Sequence, residues 1–348
     1  MSKLALQAQQ FDKTRRKWML DFVRDSRSKW AMLIDPPEGG DPFGGLVQVM
    51  ARAPLSGGDS EEQRYVLRGR QGAEDYFARL RGFYEARRYV DCWQATNEPF
   101  VGERTFRLMF SEFMLRWSEL MHGDGHVTGG GALSIGWPDK KVAHVVELLP
   151  GILAGEYLIL HEYSAPTMQD RVGDHCLRYR WLYDTMRNIV RPGQVLPRLM
   201  IGEVGIDGGV APIHRDKTGW KTYCHGSFER YLPQLAWYDG EIAKDPYVEA
   251  AFIFLFGGLD AWRDFDIDEG NARKLAKHMA STYVTPVAPA EPLPEQEQGA
   301  LPHLLEKLRW WCEEMQRMHE AGDLERANRI RLSMIKLLSR IERMAKEL

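Results

Sequence analysis

Two segments of this chain carry carboxylates in settings where they could do chemistry. Trp93-Gln94-Ala95-Thr96-Asn97-Glu98-Pro99 runs out of an apolar stretch into an Asn-Glu pair, and Ile201-Gly202-Glu203-Val204-Gly205 sets one carboxylate between glycines. Two carboxylates facing each other across a cleft are the equipment of glycoside hydrolysis, in which one attacks the anomeric carbon or activates water while the other protonates the departing oxygen. At roughly 5–5.5 Å the pair retains the anomeric configuration through a covalent glycosyl-enzyme, and at roughly 6.5–9.5 Å it inverts it. The charge of one group is expected to raise the pKa of the other, keeping a proton available near neutral pH. Plainer roles are open to both: Glu98 as an acidic residue at a helix start, and Glu203 as a buried ion-pair partner of Arg52.

Whether the two carboxylates can meet depends on the elements that carry them. Short runs rich in β-branched and aromatic residues alternate with segments of 3.6-residue periodicity, the pattern of βα units around a parallel sheet. Candidate strands cover residues 4–7, 30–34, 46–51, 89–95, 126–134, 157–162, 199–204 and 251–256. Amphipathic helices fit 11–24, 73–87, 105–121, 141–153, 174–190, 227–243 and 271–281; in the third, Phe106, Phe110, Phe113, Met114 and Trp117 recur on one face. Segment 35–45, with three prolines and four glycines, is too short and broken for a helix. The count predicts a (β/α)8 barrel with a shortened second crossover. Strands four and seven of such a barrel lie across its mouth, and their carboxyl ends form the rim where barrel active sites are built. No G-x-G-x-x-G follows the first strand and no G-x-x-x-x-G-K-[ST] occurs, so neither a dinucleotide nor a P-loop site is supported.

On these residues, Asn97-Glu98-Pro99 after strand four with Glu203 on strand seven, the segment of about residues 3–284 resembles the clan A retaining glycoside hydrolases. That clan includes many cellulases, xylanases, mannanases and β-glycosidases. The resemblance implies that Glu98 is the acid/base and Glu203 the nucleophile, and that Asn97 binds the sugar 2-hydroxyl. It implies a β-linked oligo- or polysaccharide as substrate and neither metal nor organic cofactor. His161-Glu162-Tyr163 at the end of strand six is similar to the clan's His-x-Tyr, whose tyrosine contacts the nucleophile, and Arg52 to an arginine found beneath it. Where the clan often places a tryptophan platform after strand eight, this chain has Phe256-Gly257-Gly258, with Trp262 six residues after Phe256. Trp137 and Trp262, in rim loops, are the rings expected to stack on pyranose faces.

Composition narrows the alternatives. Lys+Arg 46 against Asp+Glu 49 gives a net charge of -3, with no basic excess for a nucleic-acid backbone or an anionic membrane surface. The N-terminus lacks the apolar core of a signal peptide and no stretch has the length of a membrane span, so a cytoplasmic protein is expected. Cys92, Cys176, Cys224 and Cys312 form no C-x-x-C pair and suit reduced thiols. His122-Gly123-Asp124-Gly125-His126, before strand five, is expected to be a solvated turn and not a metal site, since no helix aligns its histidines. Residues 285–300, with four prolines, should be an extended linker. Residues 301–348 carry two apolar stripes separated by Gly322-Asp323, as in an antiparallel helical hairpin that docks, self-associates or grips a partner. A rival reading follows from that appendage: a barrel that binds carbohydrate or assembles through its hairpin without turning substrate over.

Overall fold

The structure, a computed structural model, describes residues 1–282 apart from residues 10, 192–193, 211–217 and 259. The expected linker and hairpin, with any self-association through them, lie outside the described residues. In chain order the elements are β1 (Leu4–Ala8), α1 (Lys13–Ser26), β2 (Trp30–Ile34), β3 (Gln48–Arg52), α2 (Gly58–Val66), α3 (Gly69–Glu85), β4 (Cys92–Gln94), α4 (Arg104–Gly123), β5 (Thr128–Gly129), α5 (Val142–Ile152), β6 (Tyr157–Ser164), α6 (Tyr179–Ile189), β7 (Arg198–Ile206), α7 (Trp220–Tyr223), α8 (Phe228–Ile242), β8 (Val248–Phe256) and α9 (Glu269–Ser281). The eight strands pair in sequence order, all parallel, and β8 returns to β1 to close the barrel. This is the expected (β/α)8 architecture, and residues 35–45 form bends without a helix.

The alternation of side chains across each strand builds two apolar layers. Inside the barrel, Ala5, Met32, Met50, Cys92, Ile159, Met200 and Phe252 fill the lower lumen, and Trp30 meets Tyr157 edge-on at 5.7 Å. Outside it, the apolar stripes of the helices close over the sheet; the α4 stripe contributes Phe110, Phe113, Met114 and Trp117 to this layer, all buried. Above the apolar lumen the inward positions turn polar: Gln7, Gln94 and His161 are all buried. This change is what converts the upper end of a packed core into a site.

Three departures from the sequence expectation bear on the site. β4 and β5 are shorter than expected, three and two residues. In and just after β5 the glycines 129–131 supply no side chains to a ladder, and a Cβ on Gly129 would stand 2.6 Å from Ile159 Cδ1. Single bridges, Asn97 to Ala132 and Leu133 to Leu160, continue the alignment beyond them. The third crossover contains an unexpected helix, α2, whose buried residues are Glu62 and Val66. β6 and β7 run two residues further than expected, so Tyr163 lies in regular strand. Among the described residues no helix is long and apolar enough to cross a membrane.

Candidate active site

The residues singled out on β4, β6 and β7 meet at the carboxyl end of the barrel. A cleft of about 480 Å³ is lined there by Asn97, Glu98, Tyr163, Glu203, Phe254 and Trp262, with Arg52, Asp59 and Asp207 among its other walls. Glu98 leaves β4 on a turn in which it adopts φ 40°, the left-handed region that a non-glycine residue occupies only when its surroundings fix it. The Glu98 amide donates to Ala132 O at 2.8 Å. Glu203 stands on β7 between Gly202 and Val204, its side chain largely buried at 14% exposure.

One imidazole joins the two carboxylates. His161 is fully buried, and its Nδ1 lies 2.8 Å from Glu98 Oε1 and 3.4 Å from Glu203 Oε2. Because one nitrogen touches both, those two oxygens are at most the sum of these distances apart, about 6 Å. Tyr163 donates its hydroxyl to Glu203 Oε2 at 2.6 Å, and Gln7 Nε2 donates to Glu203 Oε1 at 3.2 Å. Both oxygens of Glu203 are thus held while the group still faces the cleft. At Gly202 a Cβ would lie 2.7 Å from Ile159 Cγ2 and 3.3 Å from the His161 ring. Its missing side chain makes room for His161 to stand between the carboxylates.

The electrostatics of the trio follow from that geometry. Burial pushes the Glu98 carboxyl up, but the hydrogen bond from His161 and the charges of His161 and Arg52 outweigh it, so its pKa falls below the ordinary carboxylate value. Burial disfavours the imidazolium of His161, yet Glu203 and the hydrogen bond to Glu98 raise its pKa overall. Both shifts favour the charged forms, carboxylate at Glu98 and imidazolium at His161. Mutual elevation of two carboxylates, expected from sequence, does not describe Glu98, because a cation sits between the acids. Burial and then the Glu203 charge hold the Tyr163 hydroxyl well above its ordinary pKa, so it remains a donor.

The remaining candidates fall on different sides of the cleft boundary. Arg52 does line it, but its ion pairs are with Asp59 at 2.7 Å and Glu62 at 3.1 Å, both from α2, and among the described residues no ion pair joins it to Glu203. Asn97 faces the cleft, its side-chain oxygen 3.4 Å from Gln94 Nε2 and its Nδ2 3.4 Å from Asp59 Oδ2. Trp262 lines the cleft and is braced edge-on by Phe254 at 5.4 Å and Phe265 at 5.7 Å. The strand-eight residue that lines the cleft is Phe254, two positions before the Phe256 at the strand end. Trp137 does not line the cleft; it stacks on His144 at 6.1 Å and its carbonyl accepts from Arg178. His122 lies at the end of α4 and meets Glu156, away from the cleft.

Sequence reasoning missed Gln7, Asp59, Glu62, Asp207 and Phe254. Gln7 had a legible signal, a lone polar residue in the apolar strand Leu-Ala-Leu-Gln-Ala. Glu62 had none, since Gly-Asp-Ser-Glu-Glu-Gln-Arg reads as a solvated helix face.

With this geometry in place, similarity to known proteins is informative only at the level of fold. No protein-family profile matches the sequence, and no curated protein is significantly similar to it. Solved structures do resemble it, glycoside hydrolases among them. The Bifidobacterium dentium β-glucuronidase complexed with coumarin-3-O-glucuronide superposes with TM-score 0.52 and 13% identity over 80% of this chain and 46% of that one. The GH2 β-galacturonidase of Eisenbergiella tayi bound to galacturonate gives 0.51 and 13% over 81% and 51%. A GH128 endo-β-1,3-glucanase from Amycolatopsis mediterranei gives 0.48 and 13% over 80% and 100%. This chain spans about half the length of the β-glucuronidase and of the β-galacturonidase. At such identity the shared feature is the eight-stranded parallel barrel.

Proposed function

We propose that this protein is a retaining glycoside hydrolase acting on β-linked oligo- or polysaccharide, with Glu203 as nucleophile and Glu98 as acid/base. The observation that carries the reading is the convergence of Glu98 from β4 and Glu203 from β7 on His161 Nδ1 at the floor of one cleft. The approach of both carboxylates to one nitrogen supports direct attack by Glu203 over attack by an intervening water.

In the first step a Glu203 oxygen bonds to the anomeric carbon as the glycosidic C–O bond breaks, and the protonated form of Glu98 gives its proton to the departing oxygen. Tyr163 and Gln7 orient the Glu203 carboxylate for that attack, as does the charge on His161. In the second step Glu98, now a carboxylate, takes a proton from water as the water oxygen bonds to the anomeric carbon and Glu203 leaves. Asn97 is positioned to hydrogen-bond a sugar hydroxyl, and Trp262 to cover an apolar pyranose face.

One feature favours the rival, a barrel that binds sugar without cleaving it: His161 lowers the pKa of Glu98, whereas the first step needs that carboxyl protonated. Replacing Glu203 with Gln separates the readings. A hydrolase loses cleavage of aryl β-glycosides by several orders of magnitude in the variant, while a variant as fast as the parent overturns the assignment. A parent that binds saccharides and cleaves none establishes the rival.

A further inference from the structure

The turn that carries Glu98 is held from two directions. From the sheet side, Ala132 O accepts from the Glu98 amide at 2.8 Å. From the other side, the preceding amide, that of Asn97, donates to Glu62 Oε2 at 2.6 Å. Glu62 belongs to α2, is fully buried and does not line the cleft, so it has no route to a substrate. Its second oxygen accepts from Arg52 Nη2 at 3.1 Å, and the same nitrogen donates to Asp59 Oδ1 at 2.7 Å. A buried carboxylate is costly unless its oxygens are fully engaged, and here one is spent on a guanidinium and the other on the backbone of the turn. Nothing in the packing of α2 requires an acid at this position, because its other buried residue is Val66.

We infer that Glu62 is a positioning residue for the acid/base: anchored by Arg52, its carboxylate fixes the Asn97–Glu98 turn and thereby the point at which Glu98 delivers its proton. The inference rests on the assignment of Glu98 as the acid. A proton donor displaced by a fraction of an ångström penalises each substrate according to how much its leaving group needs the proton. An alcohol or sugar leaves poorly without one, whereas 2,4-dinitrophenolate leaves unaided. Loosening the turn should therefore skew selectivity between leaving groups, which a purely structural role would not do.

The test compares kcat/KM, which reports the first step, for a 2,4-dinitrophenyl β-glycoside and for a β-linked disaccharide of the same glycone. Both substrates are measured on the same samples of parent, Glu62→Gln and Glu62→Asp. The expected result is a loss of about 10²-fold on the disaccharide and no more than about 3-fold on the dinitrophenyl glycoside. Partial unfolding lowers both by one factor and leaves their ratio unchanged. Glu62→Asp keeps the charge but draws it back from the Asn97 amide, so it should skew the ratio in the same direction. An equal loss on both substrates, or none, in the variants overturns the inference while leaving the hydrolase reading intact; a parent that cleaves neither overturns that reading and this inference with it.

Discussion

His161 is the residue on which the chemistry of the site turns. Its Nδ1 bridges two acids, and its Nε2 has no hydrogen-bond partner among the described residues, so its electrostatic influence is directed at Glu98 and Glu203. A cation beside Glu98 favours the carboxylate and lowers its pKa, which means the protonated acid is lost at lower pH than it would be alone. Replacing His161 with neutral Gln removes that cation, so the Glu98 pKa should rise. The basic limb of kcat/KM against pH, which reports loss of the acid's proton in the free enzyme, should then move to higher pH. A profile whose basic limb stays put or moves down contradicts the proposed charge state of the pair. None of this arrangement was legible in the residue pattern. His161 and Tyr163 were readable as site residues, and Tyr163 meets Glu203 as the clan resemblance implies. The full burial of His161, however, makes it a neighbour of the acids and not of the sugar.

At the scale of elements, the cleft wall is formed by the segment after β8. Trp262 is held by Phe254 and Phe265, so an exposed ring face is offered without the entropy of a free side chain. Trp262→Ala should raise KM for an oligosaccharide about tenfold, near the upper end of what an aromatic contact contributes. Trp137→Ala should leave KM within about twofold and instead lower stability by about 2 kcal/mol, because its contacts are with His144 and the core beside it. Steady-state kinetics and chemical denaturation of both variants check the pair; equal effects on KM would contradict this division. Sequence placed both tryptophans in rim loops correctly but could not separate them, since loop direction depends on contacts such as that of Arg178 with the Trp137 carbonyl. The eight strands were legible because hydrophobic period and spacing are local signals. The short β5 and the helix α2 were not, because glycine accommodation and a buried glutamate are set by neighbours distant in sequence.

The whole barrel also has a pH dependence that originates outside the cleft. Glu162, between the site residues His161 and Tyr163 in β6, points away from them into the layer beneath α6 and α8. There it accepts from the Leu177 and Tyr179 amides and the Tyr238 hydroxyl. Complete burial dominates these hydrogen bonds and pushes its pKa up from 4.5 to about 7. A folded-state pKa above the unfolded one means the native state binds the extra proton, so this contribution is fully present below about pH 4.5 and is lost as pH rises through about 7. The loss amounts to about 3 kcal/mol. Denaturation of the parent and of Glu162→Gln between pH 5 and 8 should show the parent losing most of that amount, about 2.5 kcal/mol, relative to the variant, and parallel curves would refute the attribution.

The central claim, that Glu203 bonds covalently to a sugar, has a direct physical signature. Incubation with a 2-deoxy-2-fluoro-β-glycosyl fluoride slows both steps but leaves a good leaving group, so the glycosyl-enzyme accumulates. Peptide mass spectrometry should then find one fluoroglycosyl group, located on Glu203. Turnover of β-glycosides with no adduct, or with an adduct on any other residue, would contradict the account.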